Sequence, residues 1–136
     1  MKKYDNFIGS FNVLKNADRK VTDQYELYRM GVIGQFNLTF ELAWKLLQAV
    51  LRLHSVAEAE TGSPREIIKL GFKVGFITDE QVWLDIQKDR NKAVHIYNEE
   101  EINEIIDRIF EKYIPAFEAF AHVMKAKIDE VGTEEL

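Results

Sequence analysis

Apolar residues recur along most of this chain at steps of three and four, the period of a helix with one buried face; no stretch shows strand-like alternation. A first helix is expected over about Lys3–Asp18, with Phe7, Phe11 and Leu14 on one stripe. Thr22 or Asp23 can cap a second, unusually long helix that runs to about His54. Within it Ile33, Phe36, Phe40, Ala43, Leu47 and Val50 form the seam of a helix packed lengthwise on its neighbours. At 1.5 Å per residue such a helix spans roughly 45 Å.

Three capping signals divide the rest. SPRE (Ser63–Glu66) reads as a capping box with proline at the first helical position, opening a short helix that ends near Gly71–Gly75. TDEQ (Thr78–Gln81) opens another, and Asn98 with Glu101 opens a long final helix reaching about Asp129. In that helix Ile102, Ile106, Ile109, Tyr113, Phe117, Phe120 and Met124 make the expected buried stripe. Pro115 should kink it, because the ring clashes with the carbonyl four residues back. The fold expected is all-α: an elongated antiparallel bundle of about five helices, one domain over residues 1–136.

Composition narrows the chemistry. The absence of cysteine removes disulfide scaffolds, thiolate nucleophiles and Cys-based zinc sites. The first twenty residues contain lysines and arginine but no apolar run of signal-peptide length, and no segment approaches the length of a membrane span. A cytoplasmic, soluble protein is the expectation. The net charge of −5 argues against a general nucleic-acid coat. That charge is uneven, however: residues 98–136 hold 4 Lys+Arg against 11 Asp+Glu, while the rest is nearly balanced. A local basic surface from Lys88, Arg90 and Lys92 is therefore permitted.

The stretch DRNKAVHIYNEEE (Asp89–Glu101) sits between two helices and carries two readings. In the first it is a helix connection. Arg90 complements the negative end of one helix dipole, Asn91 and Asn98 are natural caps, and the glutamates favour the N-terminus of the last helix. In the second it is a site. Arginine grips phosphate oxygens in two places with permanent charge, and histidine exchanges protons near neutral pH. Together they are a minimal kit for cutting RNA without a metal: His95 takes the 2′-hydroxyl proton and Arg90 stabilises charge on the phosphate oxygens. One pair per chain is thin, so a two-fold dimer would be needed to bring two copies together. The helix containing Val82, Trp83, Leu84 and Ile86 is apolar over more than one face and is a candidate for that interface.

Arg90-Asn-Lys-Ala-Val-His95-Ile-Tyr97 resembles the arginine–four residues–histidine–any–tyrosine motif of the HEPN superfamily, and Asn91 matches the polar residue common after its arginine. FNLTFELAWKLLQAVL (Phe36–Leu51) is similar to the second-helix signature of one branch. That branch is described as nucleotidyltransferase substrate-binding proteins and overlaps the HEPN toxins paired with minimal nucleotidyltransferase antitoxins. The resemblance implies a homodimeric ribonuclease that needs neither metal nor other cofactor, with Arg90 and His95 catalytic and RNA as substrate. It also implies a cognate minimal nucleotidyltransferase that silences the enzyme by transferring AMP to the motif tyrosine, here Tyr97. The alternative within the branch is a non-catalytic subunit that presents substrate to the nucleotidyltransferase.

Other polar residues have plainer expectations. Trp44 is expected in the core, and Glu41 and Lys45 are spaced for an ion pair along one helix. His54 and His122 lack an arginine at motif spacing, and the three histidines are too scattered to suggest a metal site.

Overall fold

The computed structural model describes residues 1–95 and 98–132. They form an all-helical bundle, and the order of elements follows from the caps. Helix α1 (Lys2–Lys15) ends three residues before the expected Asp18, because Asp18 is itself a cap. Its carboxylate accepts from the Val21 N–H at 3.1 Å and starts a short helix, α2 (Arg19–Gln24). Thr22, expected to cap the long helix, is instead buried in α2, its hydroxyl donating to the Asp18 carbonyl. Tyr25 adopts an extended conformation (φ −123°, ψ 118°), and this one residue separates α2 from α3 (Glu26–Leu53).

Helix α3, 28 residues and roughly 42 Å long, is the axis of the fold. All six residues of its expected seam are buried. Helix α1 lies along it, joined by apolar contacts and by a buried polar bridge in which the Ser10 and Thr39 hydroxyls meet at 2.8 Å. A 3₁₀ turn (Ala57–Glu60) then leads to α4 (Pro64–Lys73). Its capping box is complete: Ser63 accepts from the Glu66 N–H, and the Glu66 carboxylate accepts from the Ser63 N–H.

Helix α4 closes with Gly75 in the left-handed region (φ 86°); the N–H groups of Phe76 and Gly75 return to the carbonyls of Gly71 and Phe72. Gly71 packs so tightly on α3 that an added Cβ would come within 2.9 Å of Leu47. Helix α5 (Glu80–Ala93) is capped by Asp79 rather than Thr78, through the Val82 N–H. Helix α6 (Glu99–Arg108) is capped by Asn98, whose oxygen accepts from Glu100 and Glu101. The return bond of a full box is not made there, since the Glu101 carboxylate faces Lys92 at 4.0 Å.

The final helical run, expected to kink at Pro115, changes its winding just before that residue. It passes through one π turn (Ile109–Tyr113), where the Ile114 N–H reaches back five residues to the Ile109 carbonyl, and continues as α7 (Ile114–Asp129). The wider turn takes up the residue that proline's missing N–H and its ring would otherwise disrupt. All seven residues of the expected stripe remain buried. Their rings build an aromatic centre: Phe117 meets Phe7 and Trp83 edge-on at 6.1 and 5.5 Å, and Tyr113 stacks on Phe36 at 5.5 Å. Trp83 and Ile86 of α5 are core, and Val82 and Leu84 pack against it. Much of the apolar excess of α5 is thus used within the chain, while Val82 and Leu84 stay partly exposed. Among the described residues no helix is long and apolar enough to cross a membrane.

Candidate functional site

Two polar constellations meet at the C-terminal half of α5, on different sides of it. Lys88 and Lys92 are one turn apart and share a face; Arg90, midway between them in sequence, points elsewhere. The basic surface expected from these three residues is therefore divided. Lys88 and Lys92 line a cavity of about 300 Å³ with Asp85, Asp89, Glu104, Arg108 and Tyr113, a mixed-charge wall.

On that side Asp89 is almost completely buried, near the C-terminal end of its helix, where the dipole disfavours a carboxylate. Its partners explain why it can be there. Arg108 donates to both of its oxygens, at 2.6 and 3.0 Å, and the buried Tyr113 hydroxyl donates to one of them. Arg108 and Tyr113 stand five apart, which on a regular α-helix places them on different faces. The π turn between them adds the extra residue that lets both reach one carboxylate. Periodicity alone places Tyr113 in the core and is silent on Asp89 and Arg108. The available signal is an aspartate near a helix C-terminus, where the dipole disfavours a carboxylate.

The triad has a pH signature. The hydrogen bond to Asp89 pushes the Arg108 guanidinium above its ordinary value. Burial, and then the hydrogen bond to Asp89, push the Tyr113 hydroxyl well above its ordinary value of 10.0. Above pH 10 the unfolded chain therefore releases a tyrosine proton that the folded chain keeps, so stability falls as pH rises. The contribution is complete below pH 10 and is lost on rising through the folded value, at up to about 1.4 kcal/mol per pH unit. Thermal melts from pH 9 to 11.5 should show a shallower alkaline decline for Tyr113→Phe than for the parent chain.

On the other side, Arg90 faces α3. Its Nη2 donates to Glu41 Oε2 at 3.1 Å, its Nη1 donates to Asn91 Oδ1 at 3.3 Å, and the guanidinium lies 6.0 Å from the Phe40 ring. The Trp44 indole N–H donates to the same Glu41 oxygen at 3.0 Å. Trp44 is half-buried rather than core, and Glu41 pairs with Arg90 instead of Lys45. Arg90 and Glu41 are each about one-third exposed, at 30% and 32%. Solvent screening holds such a pair to about 1 kcal/mol or less, so its main consequence is orientation. Asn37, one turn before Glu41 on the same side of α3, has an enclosed Oδ1 with no hydrogen-bond partner among the described residues.

His95 is exposed in the turn closing α5, its backbone N–H donating to the Lys92 carbonyl. The structure thus brings Arg90 and Asn91 together and adds Glu41 and Trp44, which sequence spacing does not assign to the site. Tyr97 lies outside the described residues. His54 is structural: its Nε2 meets the Lys127 carbonyl at 2.7 Å and its ring stands edge-on to Phe76. A separate cavity of about 630 Å³ between α1, α2 and α3 is lined by Val13, Val21, Tyr25, Leu27, Tyr28 and Val32, among others; none of its lining side chains is an acid, lysine, arginine or histidine. It offers apolar surface without catalytic groups.

The fold recurs in a crystal structure of a protein from Thermus thermophilus, with a TM-score of 0.67 and 28% identity over 93% of this chain and 98% of that one. No curated protein matches the chain. The family model described as nucleotidyltransferase substrate binding protein like matches residues 2–126, which spans both constellations, and the chain belongs to that family.

Proposed function

We propose that this chain binds a phosphate-bearing substrate and presents it to a nucleotidyltransferase, with Arg90 as the group that grips the phosphate. The observation that carries this reading is the placement of Arg90. It is held by Glu41 and Asn91, is partly open to solvent, and has N–H donors beyond the two those residues use. An arginine oriented in this way has lost part of its side-chain freedom before the ligand arrives, which lowers the cost of binding. Family membership supports the partner.

The test is nucleotidyl transfer by the complex of this chain with the nucleotidyltransferase encoded beside it. Arg90→Ala should leave the complex assembled and raise the KM for substrate about ten-fold or more, the loss of one or more charge-assisted hydrogen bonds. Unchanged transfer by that variant would remove Arg90 from the reading.

A second reading is supported by His95, exposed five residues after Arg90 at the end of the same helix. In it, a homodimer of this chain cuts RNA without a metal, and AMP on Tyr97 silences it by adding bulk and phosphate charge to the motif. RNA cleavage by the isolated chain that disappears in His95→Ala, together with an AMP mass on Tyr97 after incubation with partner and ATP, would favour it over the first.

A further inference from the structure

We infer that the exposed stripe of Leu27, Gly31, Gly34 and Leu38 on α3 is a seam on which a second copy of this chain packs, antiparallel, about a two-fold axis between Gly31 and Gly34. Leu38 of each copy then enters the apolar groove beside Leu27 of the other. The seam contains neither Arg90 nor Glu41 and does not depend on how those residues are used.

The four residues fall at steps of four, three and four, which sets them on one narrow face of the helix. All four are exposed, Leu27 by 87% and Leu38 by 50%. Leucines so open to water on the central helix of a bundle do not pack the chain's own core. Both glycines lie inside α3, where glycine is a poor helix former. A Cβ added at either would meet nothing within 4 Å among the described residues, so packing inside the chain does not require them, in contrast to Gly71. They leave a shallow saddle between two leucines, where another helix can approach closely. Val13, Tyr25 and Met30 are also exposed and widen the apolar surface, and Lys45, two turns beyond Leu38, ends it.

The occupant follows from symmetry, because the pattern reads the same from both ends. An axis between Gly31 and Gly34 sets Leu27 against the partner's Leu38 and Gly31 against the partner's Gly34, as an isologous contact demands. Shape obeys the same rule. The groove of about 630 Å³ between α1, α2 and α3 opens at the Leu27 end, and Leu38 projects at the other end, outside that groove. A hole and a knob equally far from the axis fit each other in two copies and need no third molecule. The groove is lined without an acid, lysine, arginine or histidine, so it suits a leucine and disfavours a charged side chain. The exposed residues of the patch present on the order of 600 Å² per chain, near the ~800 Å² per partner of a standard interface. Glu41 lies about nine residues from the axis, so the two Glu41–Arg90 sites stand roughly 25 Å apart along the seam. Each site then works by itself, unlike the paired motifs that RNA cleavage would require.

Sedimentation velocity of the full chain at micromolar concentrations, joined to cross-linking on this cysteine-free background, tests the seam. The parent chain should sediment as a dimer. Leu27→Glu and the double variant Gly31→Gln/Gly34→Gln should each raise the dimer dissociation constant about 100-fold or more, the effect of spoiling the centre of an interface. Their circular dichroism should match that of the parent, because these positions are exposed. Register is read with a short bis-maleimide. A mixture of Leu27→Cys and Leu38→Cys chains should cross-link one to the other, and Leu27→Cys alone should cross-link far less. A monomeric parent, a dimer that survives both variants, or Leu27→Cys chains that join each other as readily as they join Leu38→Cys would each overturn it. A monomeric parent whose complex with the nucleotidyltransferase is lost in Leu27→Glu would overturn it in favour of that enzyme as the occupant.

Discussion

Replacing Arg108 by Met is expected to lower the free energy of unfolding by about 3–5 kcal/mol, measured by urea denaturation followed through circular dichroism. The size comes from what the substitution leaves behind. Asp89 has 7% of its side chain exposed and would keep only the Tyr113 hydroxyl as a donor. A buried carboxylate without a counter-ion is costly, whereas the arginine that once paired with it is not missed for itself. Adding Asp89→Asn to Arg108→Met should therefore recover at least half of the loss. The amide carries no charge and still accepts from Tyr113. If the double variant were as unstable as the sum of its parts, the penalty would lie in packing rather than in an abandoned charge.

This triad also fixes what stands next to it. Asp89 anchors one side of α5 to the last helix, and Arg90, the next residue, leaves from the other side toward Glu41. A helix held on one side by a buried ion pair presents its neighbouring side in a defined orientation, as a binding constellation needs. The π turn belongs to the same arrangement, because without it Tyr113 and Arg108 would not share a carboxylate.

What can be read in the sequence divides along the same line. Periodicity locates every long helix and the two buried stripes, because burial of one face is a local pattern repeated every three or four residues. The Ser63 box is legible because all of its chemistry lies within four residues. The break at Tyr25 is not, since Arg19–Gln24 and Glu26–Leu53 both favour helix and a single extended residue divides them. Arg90 and Asn91 are adjacent in sequence and can be nominated from it. Glu41 is 49 residues from Arg90, and Asp89 is 19 from Arg108; only the packing of α3, α5 and α6 brings these charges together. Spacing pairs Glu41 with Lys45 because a helical neighbour is visible in a sequence and a tertiary partner is not.

Phe36→Ala is expected to cost a further 3–5 kcal/mol, about the range for removing a buried phenyl ring, and to lower the melting temperature by on the order of 10–20 °C. Phe36 is fully buried at the centre of α3, stacked on Tyr113 and 6.3 Å from Phe117. The core side of α3 carries it, while Glu41, five residues on, sits well around the helix toward Arg90. Ligand affinity per folded molecule should therefore change little, in contrast to Glu41→Ala, which should alter affinity and leave the melting temperature within a few degrees. Its coupling to Arg108 is the sharper measurement. Phe36 and Arg108 both restrain Tyr113, one by stacking and the other through Asp89. Once either restraint is gone the ring can shift, so the Phe36→Ala/Arg108→Met double variant should lose less stability than the two single losses added together.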